Sequence, residues 1–336
     1  MLTEAYIIDF LYSCIRLATP LIYCTLGALV SMHAGQINMA MEGILLTSGL
    51  TGVLVSGFTG NLWLGALGAF AGGIIISLIM GYMNIVIDAN MMLCGISMNN
   101  FASGGTIMLL FAVLNTKGSS AALKSLTFPE WDVPLLKDIP FVGPVLSGHN
   151  ALTYIAFLMA VVTYLFIFRT RTGLRIRAIG MNPNAAASVG INVKKIRFQA
   201  YIYSGIFAAL GGAFMTMGYL SYWAQNMMGG RGFIGISAAN LSGGNVLLGT
   251  VTAVLFGATS ALSIVLQTLN LKPELMQMLP YIATIIGLVV ISVVQKKRDD
   301  AIVKKAAMHV SIERQADEAK EAENNASVRA SSDRPE

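Results

Sequence analysis

Long apolar stretches separated by short polar ones run from the start of the chain to about residue 295. A membrane-spanning helix needs about 20 mainly apolar residues. Eight stretches satisfy or approach this requirement: 7–30, 43–58, 62–87, 90–114, 150–168, 198–220, 246–269 and 277–294. The pattern predicts an all-α transmembrane helical bundle of about eight to ten spans, some short or broken, over residues 1–295. A polar tail follows over residues 296–336.

A ninth apolar stretch, residues 227–242, is short and rich in glycine. It forms either a short span or a re-entrant segment, because irregular backbone at membrane depth is tolerated only where protein or a water-filled cavity covers it. A second glycine-broken stretch, residues 31–43, lies in the first half of the chain. One such segment in each half is typical of transporters whose broken helices surround a pathway.

The composition agrees with a membrane protein and argues against several other classes. Hydrophobic residues make up 55% of the 336 residues and charged residues 12%, against about 25% charged residues in soluble domains. The chain has no P-loop, HExxH or GxSxG motif, so we expect no enzyme activity, metal site or cofactor in it. The formal net charge of +5 comes from a few loops, which argues against a nucleic-acid partner.

The distribution of basic residues predicts the orientation. The loop 169–199 carries seven basic residues and no acidic one, so the positive-inside rule places it in the cytoplasm, as it does the basic segment 296–298. Loop 115–149 has balanced charge and is predicted to be external. An even number of spans must then separate residues 169 and 295, which requires residues 227–242 to cross. We predict nine spans in the cell membrane, with an external N-terminus, a cytoplasmic C-terminus and a cytoplasmic turn at 242–245.

Polar and glycine residues interrupt the apolar pattern at residues 31–43, and Glu42 is the most costly of them. An ionisable side chain at the centre of a spanning helix costs about 2.5–3.5 kcal/mol, so it faces a cavity or a partner. One interpretation is that Gly35, Asn38, Glu42 and Gly43 shape a solute pathway. The alternative is that the segment lies near the cytoplasmic face, where Glu42 braces a turn by capping a helix N-terminus.

The basic loop 169–199 contains the pattern of a short capped helix. Asn182 suits the N-cap position, Pro183 suits the first helical turn, and Gly190 suits the end of the helix. An ordered helix with small residues such as Ala185 and Ala186 is suited to dock against a soluble partner. The alternative is a helix on the membrane surface, held by anionic lipid.

Three blocks of this sequence resemble permease subunits of ABC importers, in the family that serves branched-chain amino acids, simple sugars and nucleosides. The first block comprises residues 18–21, 27–29, 34–38 and 42–43. The second comprises residues 171–175, 178–183, 185–186, 190–193 and 204–205. The third comprises residues 230–234, 243–245 and 248–249. The resemblance covers about residues 15–295, and within the family the sequence is most similar to nucleoside and simple-sugar permeases.

The resemblance implies a transmembrane permease that moves a small polar solute by alternating access. Its partners would be ABC ATPase subunits, a second permease subunit, identical or homologous, and an extracytoplasmic solute-binding protein. It also implies contacts with the ATPase at the short helix and at the cytoplasmic turn. The residues concerned are Asn182, Pro183, Ala185, Ala186, Gly190, Gly243, Gly244 and Asn245. The chain departs from the family pattern at Asn240 and Ser242, which are polar additions.

Two other classes remain open from the sequence. An ion-coupled secondary transporter requires intramembrane acidic residues, and Glu42 and Asp88 are the candidates. A membrane assembly subunit would carry no solute. A co-purifying ATPase with solute-stimulated hydrolysis separates the ABC permease from both.

The predicted orientation is tested by labelling single introduced cysteines in intact cells with a membrane-impermeant thiol reagent. A cysteine near Ser120 should react from outside, and one near Asn184 should react only after the membrane is opened. Reaction of the Asn184 variant in intact cells would contradict the orientation.

Overall fold

The computed structural model describes residues 2–123, 125–131, 142–267 and 278–287, together with 289, 290 and 293. The chain divides into two compact units, Met1–Thr284 and Ile285–Glu336, and every contact given below lies within the first unit. The predicted tail, residues 296–336, lies outside the described residues, and so does part of the predicted span 277–294.

The described part of the chain is built from helices. They are α1 (Leu2–His33), α2 (Met41–Thr59), α3 (Leu62–Ile85), α4 (Met91–Leu114), α5 (Val142–Leu146), α6 (Ala151–Arg169), α7 (Arg171–Met181), α8 (Pro183–Ser188), α9 (Val193–Phe214), α10 (Arg231–Leu241) and α11 (Val246–Gln267). A π-helical turn, Met215–Tyr219, extends α9. Two-residue strands β1 (Glu130–Trp131) and β2 (His149–Asn150) pair antiparallel, with Trp131 opposite His149. The all-α bundle predicted from the apolar pattern is confirmed.

Seven helices of the described residues are long and apolar enough to cross a membrane: Tyr6–His33, Met41–Thr59, Leu62–Ile85, Met91–Leu114, Ala151–Arg169, Val193–Tyr219 and Val246–Gln267. They correspond to seven of the eight long stretches predicted from the sequence. Asparagine side chains cap the N-termini of several of these helices by accepting hydrogen bonds from the first free backbone N–H groups. The caps are Asn61, Asn90, Asn150, Asn192 and Asn245.

Helix α1 runs between two opposite faces of the bundle. At its start, the Tyr12 hydroxyl donates to the Gly148 carbonyl at 2.8 Å, beside the paired strands. At its end, the His33 carbonyl lies against Gly180 of α7, where a Cβ atom on Gly180 would clash with it. We call the face with α7 and α8 the basic side, and the face with β1 and β2 the opposite side. Because residues 17–34 are almost all buried, α1 forms the centre of the core.

The link between α1 and α2 turns back into the bundle, and Asn38 holds it there. Asn38 is fully buried, and its backbone N–H donates to the Ser31 hydroxyl at 3.0 Å. Its side-chain amide donates to the hydroxyls of Ser77 and Ser204, each at 3.1 Å, and its Oδ1 accepts from the Ala40 N–H at 3.2 Å. One side chain therefore joins α3 and α9 to the returning link.

The predicted crossing at residues 227–242 takes a form that differs from a spanning helix. Helix α10 has 11 residues, about 16 Å at 1.5 Å per residue, roughly half of a hydrocarbon core. The rest of the passage is irregular and starts on the opposite side, where Trp223 exchanges hydrogen bonds with Ser120. It ends on the basic side, where His33 Nε2 donates to the Gly244 carbonyl at 2.8 Å. The chain thus changes sides through a broken passage because its glycines interrupt the helix.

Burial refines the labelling positions for the orientation test. Ser120 is fully buried, whereas its neighbour Ala122 and Asn184 are exposed. The native cysteines, Cys14, Cys24 and Cys94, are all buried. Cysteines at positions 122 and 184 are therefore the better probes, and we expect little background from the native thiols.

Replacing Asn38 by alanine should destabilise the protein by about 1–3 kcal/mol, because each buried polar group left unpaired costs energy of this size. The measurement is the thermal unfolding midpoint of the detergent-purified protein. Asn240→Ala is the control, since Asn240 is an exposed residue of α10. An Asn38→Ala midpoint equal to that of the control would contradict this role.

Candidate functional site

The carboxylate of Glu42, in the first turn of α2, caps the N-terminus of α10. Oε1 accepts from the Gly230 N–H at 2.9 Å, and Oε2 accepts from the Gly232 N–H at 2.7 Å. The first N–H groups of a helix have no partner within it, and its positive end favours a negative charge. Gly232 permits the contact, because a Cβ atom there would meet the backbone of Glu42. The capping role of Glu42 considered from the sequence is confirmed.

This cap lies near the middle of the bundle rather than at its basic side. A Cβ atom on Gly235, one turn into α10, would meet Cys24 of α1. Cys24 lies nine residues before His33, about 13 Å along the helix axis. The alternative from the sequence placed the whole segment 31–43 near one face of the membrane; its beginning does lie at the basic side, next to Gly180, but Glu42 lies deeper in the bundle. The link at residues 34–40 returns into the bundle before α2 begins, which carries Glu42 to mid-depth.

A cavity of about 320 Å³ lies beside the cap, between α2, α4 and the start of α10. Its walls contain both apolar and polar side chains. The lining residues are Glu42, Leu46, Ile96, Asn99, Asn100, Ser103, Asn226, Gly229, Gly230 and Phe233. Residues 99–103 lie halfway along the 24-residue helix α4. The cavity therefore opens at the depth of the membrane centre.

The structure separates the four residues predicted to shape a pathway. Glu42 lines the cavity, and Gly43 is buried beside it, with its N–H donating to Asn99 Oδ1 at 2.8 Å. Asn38 uses its side chain inside the bundle and does not line the cavity. Gly35 is exposed on the basic side next to Gly180. The pathway role of Glu42 and Gly43 stays a prediction, and the positions of Asn38 and Gly35 favour structural roles.

A second cavity, of about 460 Å³, lies on the other face of the irregular segment that precedes α10. Asn226 and Gly229 line both cavities, so residues 226–230 form the wall between them. Arg231 lines the second cavity, and its Nη1 donates to the carbonyls of Met227 at 3.0 Å and Met228 at 2.9 Å. The arginine thus stabilises the irregular wall itself.

The predicted short helix on the basic side is confirmed as α8. Asn182 Oδ1 accepts from the N–H groups of Asn184 and Ala185, at 3.0 and 3.1 Å, and Pro183 is the first helical residue. Gly190 follows the helix with a φ of +82°. The turn that contains Gly243 and Gly244 lies on the same side, since His33 binds it. The turn therefore meets the end of α1, and so does α7, which leads into α8.

The exposed surface of α8 differs from the one expected from its small residues. Ala186 is buried, with 4% of its surface exposed, so it faces the bundle and cannot itself contact a partner. Ala185 is exposed. Met181 and Val189, which flank the helix, are 88% and 75% exposed. Met181 ends α7 and Val189 directly follows α8, so exposed apolar side chains lie at both ends of the short helix.

Several lining residues escaped the sequence analysis. Asn99 and Asn100 interrupt an apolar helix at its centre, a position where polar side chains are costly and face a cavity or a partner. That signal was present in the sequence. Asn226 and Phe233 had none, because the broken passage that brings them to the cavity depends on contacts distant in the chain.

Replacing Glu42 by glutamine should lower the stability of the purified protein by about 1.5–3 kcal/mol, since an amide cannot accept from Gly230 and Gly232 through both terminal atoms. The measurement is the thermal unfolding midpoint, compared with that of Glu130→Gln, whose side chain is exposed. A Glu42→Gln midpoint that matches the parent protein would refute the cap.

Comparison with known proteins assigns the family. Residues 10–289 match the model described as branched-chain amino acid transport system / permease component. The guanosine ABC transporter permease protein NupQ of Bacillus subtilis is 31% identical over 282 residues, which cover 81% of this chain and 88% of that protein. The nucleoside ABC transporter permease protein NupC of Lactococcus lactis subsp. cremoris is 28% identical over the same shares of the two chains. The putative glucose ABC transporter permease protein TsgC13 of Haloferax volcanii is 31% identical over 228 residues, 66% of this chain and 67% of that protein.

No solved structure matches the chain. The family model covers most of the sequence, and seven helices of the described residues are long and apolar enough to cross a membrane. The chain is therefore a multi-pass membrane protein that belongs to the branched-chain amino acid transport system / permease component family.

Proposed function

We propose that this chain imports nucleosides or simple sugars as a permease subunit of an ABC transporter. The observation that carries the proposal is the cavity at mid-depth, with both polar and apolar side chains in its lining, where the broken helices α2 and α10 begin. Broken helices that meet at the membrane centre are a recurring way to build a transport site. The relatives named for guanosine, nucleosides and glucose support this solute class.

The proposed complex contains two permease subunits, two ATPase subunits and a solute-binding protein. The second permease, a copy or a homologue, lies beside this subunit in the membrane. ATP hydrolysis belongs to the ATPase subunits, which contact the basic side. The binding protein contacts the opposite side, where it delivers the solute.

In the proposed orientation the basic side is cytoplasmic. Helix α7 and the start of α9 carry most of the basic residues of the loop 169–199. The positive-inside rule favours this orientation, and the proposed ATPase contacts require it.

The geometry at Glu42 favours this mechanism over an ion-coupled transporter. A coupling site for a cation needs carboxylate oxygens that are free to bind it. Both Glu42 oxygens already accept hydrogen bonds from backbone N–H groups. The carboxylate of Glu42 is therefore used to hold α10, which argues against its use as an ion-coupling site.

The proposed function is tested by co-expressing the chain with a candidate ABC ATPase from the same organism, purifying the complex and reconstituting it in liposomes with a candidate binding protein. ATP hydrolysis should rise on addition of guanosine, uridine or glucose, and the stimulating solute should accumulate in an ATP-dependent way. The proposal would be contradicted if the ATPase did not co-purify with the chain and no solute stimulated ATP hydrolysis. Uptake driven by an ion gradient without ATP would favour secondary transport.

The exposed apolar side chains of Met181 and Val189 provide a test of ATPase docking. Met181→Glu and Val189→Glu should each reduce recovery of the ATPase at least about tenfold, because a partner that covers these side chains would bury an unpaired charge. The measurement is a pull-down from membranes with equal permease levels. The double variant Lys194→Gln, Lys195→Gln is the control, and it should still recover the ATPase. If the double variant lost the ATPase while both glutamate variants kept it, a lipid-surface helix would be favoured.

A further inference from the structure

We propose that the cavity beside Glu42 is a binding site for an uncharged nucleoside, in which Phe233 stacks on the base. Asn100, Ser103 and Asn226 would bind the polar edges of the base and the ribose. This inference deepens the proposed function and rests on it, because it assigns the solute class to one site of the permease. It also assigns solute selection to the membrane subunit itself, in addition to any selection by a binding protein.

The first argument is that polar side chains in the cavity have hydrogen-bonding capacity to spare. Within the described ranges, the side chains of Asn100, Ser103 and Asn226 make no hydrogen bond, and Asn100 and Asn226 are exposed. Their neighbour Asn99 shows the contrast. Its Oδ1 accepts from the Gly43 N–H at 2.8 Å and its Nδ2 donates to the Met39 carbonyl at 3.0 Å. Asn99 is structural, whereas the other three side chains are available to a solute.

The chemistry of the free groups matches a nucleoside. Two amides and a hydroxyl supply both donors and acceptors, which suits the mixed edge of a base and the hydroxyls of a ribose. Polar groups at mid-depth are costly unless they are paired. A solute that pairs with them therefore gains more binding free energy than it would at the surface. A purely apolar solute would leave them unpaired.

Phe233 distinguishes a nucleoside from a sugar. It lies in the first turn of α10, lines the cavity, and has 41% of its surface exposed. An exposed aromatic ring beside amide groups is the arrangement that proteins use to stack a planar base. A sugar has no planar face of this kind and would gain less from the ring.

The charges around the cavity exclude a phosphorylated solute. Among the described lining residues Glu42 is the one ionisable group, and each of its oxygens accepts a backbone N–H, an arrangement that suits a carboxylate. Arg231 lines the cavity on the other face of the segment, and its guanidinium donates to backbone carbonyls there. A phosphate would find no free cation among the described lining residues, because the nearby Arg231 already interacts with the charge of Glu42. The uncharged form of the solute is therefore favoured.

The size of the cavity agrees with this assignment. Its volume of about 320 Å³ lies at the small end of the range for ligand pockets, about 300–1,000 Å³. A single nucleoside fits such a volume, whereas a dinucleotide or an oligosaccharide would not. The broken wall at residues 226–230 closes one side of the cavity, so its shape depends on the same cap that holds α10.

The test measures binding of tritiated guanosine and tritiated uridine to the purified complex of permease and ATPase. Phe233→Leu and Asn100→Ala should each weaken binding of at least one of these nucleosides about tenfold, the size expected when a base loses its stacking partner or a buried hydrogen bond. Phe233→Tyr should keep the affinity, because it keeps the ring. Guanosine monophosphate in hundredfold excess should not displace guanosine.

The chain offers matched controls for both variants. Phe101→Leu removes a phenylalanine that is 64% exposed on α4, and Asn240→Ala removes an exposed asparagine on α10. Neither residue lines the cavity, so both variants should bind nucleoside with the parent affinity. If Phe233→Leu fails to assemble, Phe233→Tyr and Asn100→Ala still decide the question.

The outcomes separate this inference from the proposed function. ATP-driven nucleoside uptake with parent affinities in Phe233→Leu and Asn100→Ala would overturn the site and leave the permease function intact. Displacement of guanosine by its monophosphate would overturn the charge selection. ATP-driven uptake of glucose without nucleoside binding would overturn the solute class. Absence of solute-stimulated hydrolysis altogether would instead refute the proposed function.

Discussion

The structure depends on one carboxylate that binds two backbone N–H groups at the centre of the membrane. Glu42 belongs to α2, and the groups it binds belong to α10. Both helices begin at mid-depth, where water cannot satisfy a free helix end and lipid has no hydrogen bonds to offer. The cap therefore lets the chain break two helices inside the bilayer, and the cavity exists because they are broken.

The centre and the basic side of the molecule are linked through α1. Its end contacts the turn expected to meet an ATPase, since the His33 side chain binds Gly244, and it contacts α7, which leads into α8, since Gly180 lies against the His33 carbonyl. Its middle lies against α10, where Thr25 donates to the Gly235 carbonyl at 3.2 Å. One buried helix thus contacts both the docking surface and the helix that forms the cavity wall. Coupling by rigid-body movement needs a continuous element of this kind.

The sequence predicted the elements that depend on local composition. Apolar stretches predicted the long helices. Asn182 and Pro183 predicted the position of α8, because capping is a local interaction. The depth of Glu42 could not be predicted in this way. It depends on Asn38, whose amide donates to Ser77, which is 39 residues away, and to Ser204, which is 166 residues away. No local sequence pattern reports such pairings. The prediction that Ala186 contacts a partner was wrong for the same reason. The sequence shows a small residue, but packing decides whether that residue faces the bundle or the solvent.

The isolated bridge between Ser119 and Ala224 has a consequence for control of the molecule from outside the bilayer. Two backbone hydrogen bonds and the Ser120 hydroxyl tie this loop to the irregular passage. The passage is fixed in turn by Trp223, which is buried and donates to the Leu46 carbonyl of α2 at 3.1 Å. Only a few residues separate Trp223 from the wall at 226–230. A nanobody that binds this loop would therefore hold the cavity wall in one conformation. The loop is for this reason a suitable epitope for stabilising a single conformer for imaging.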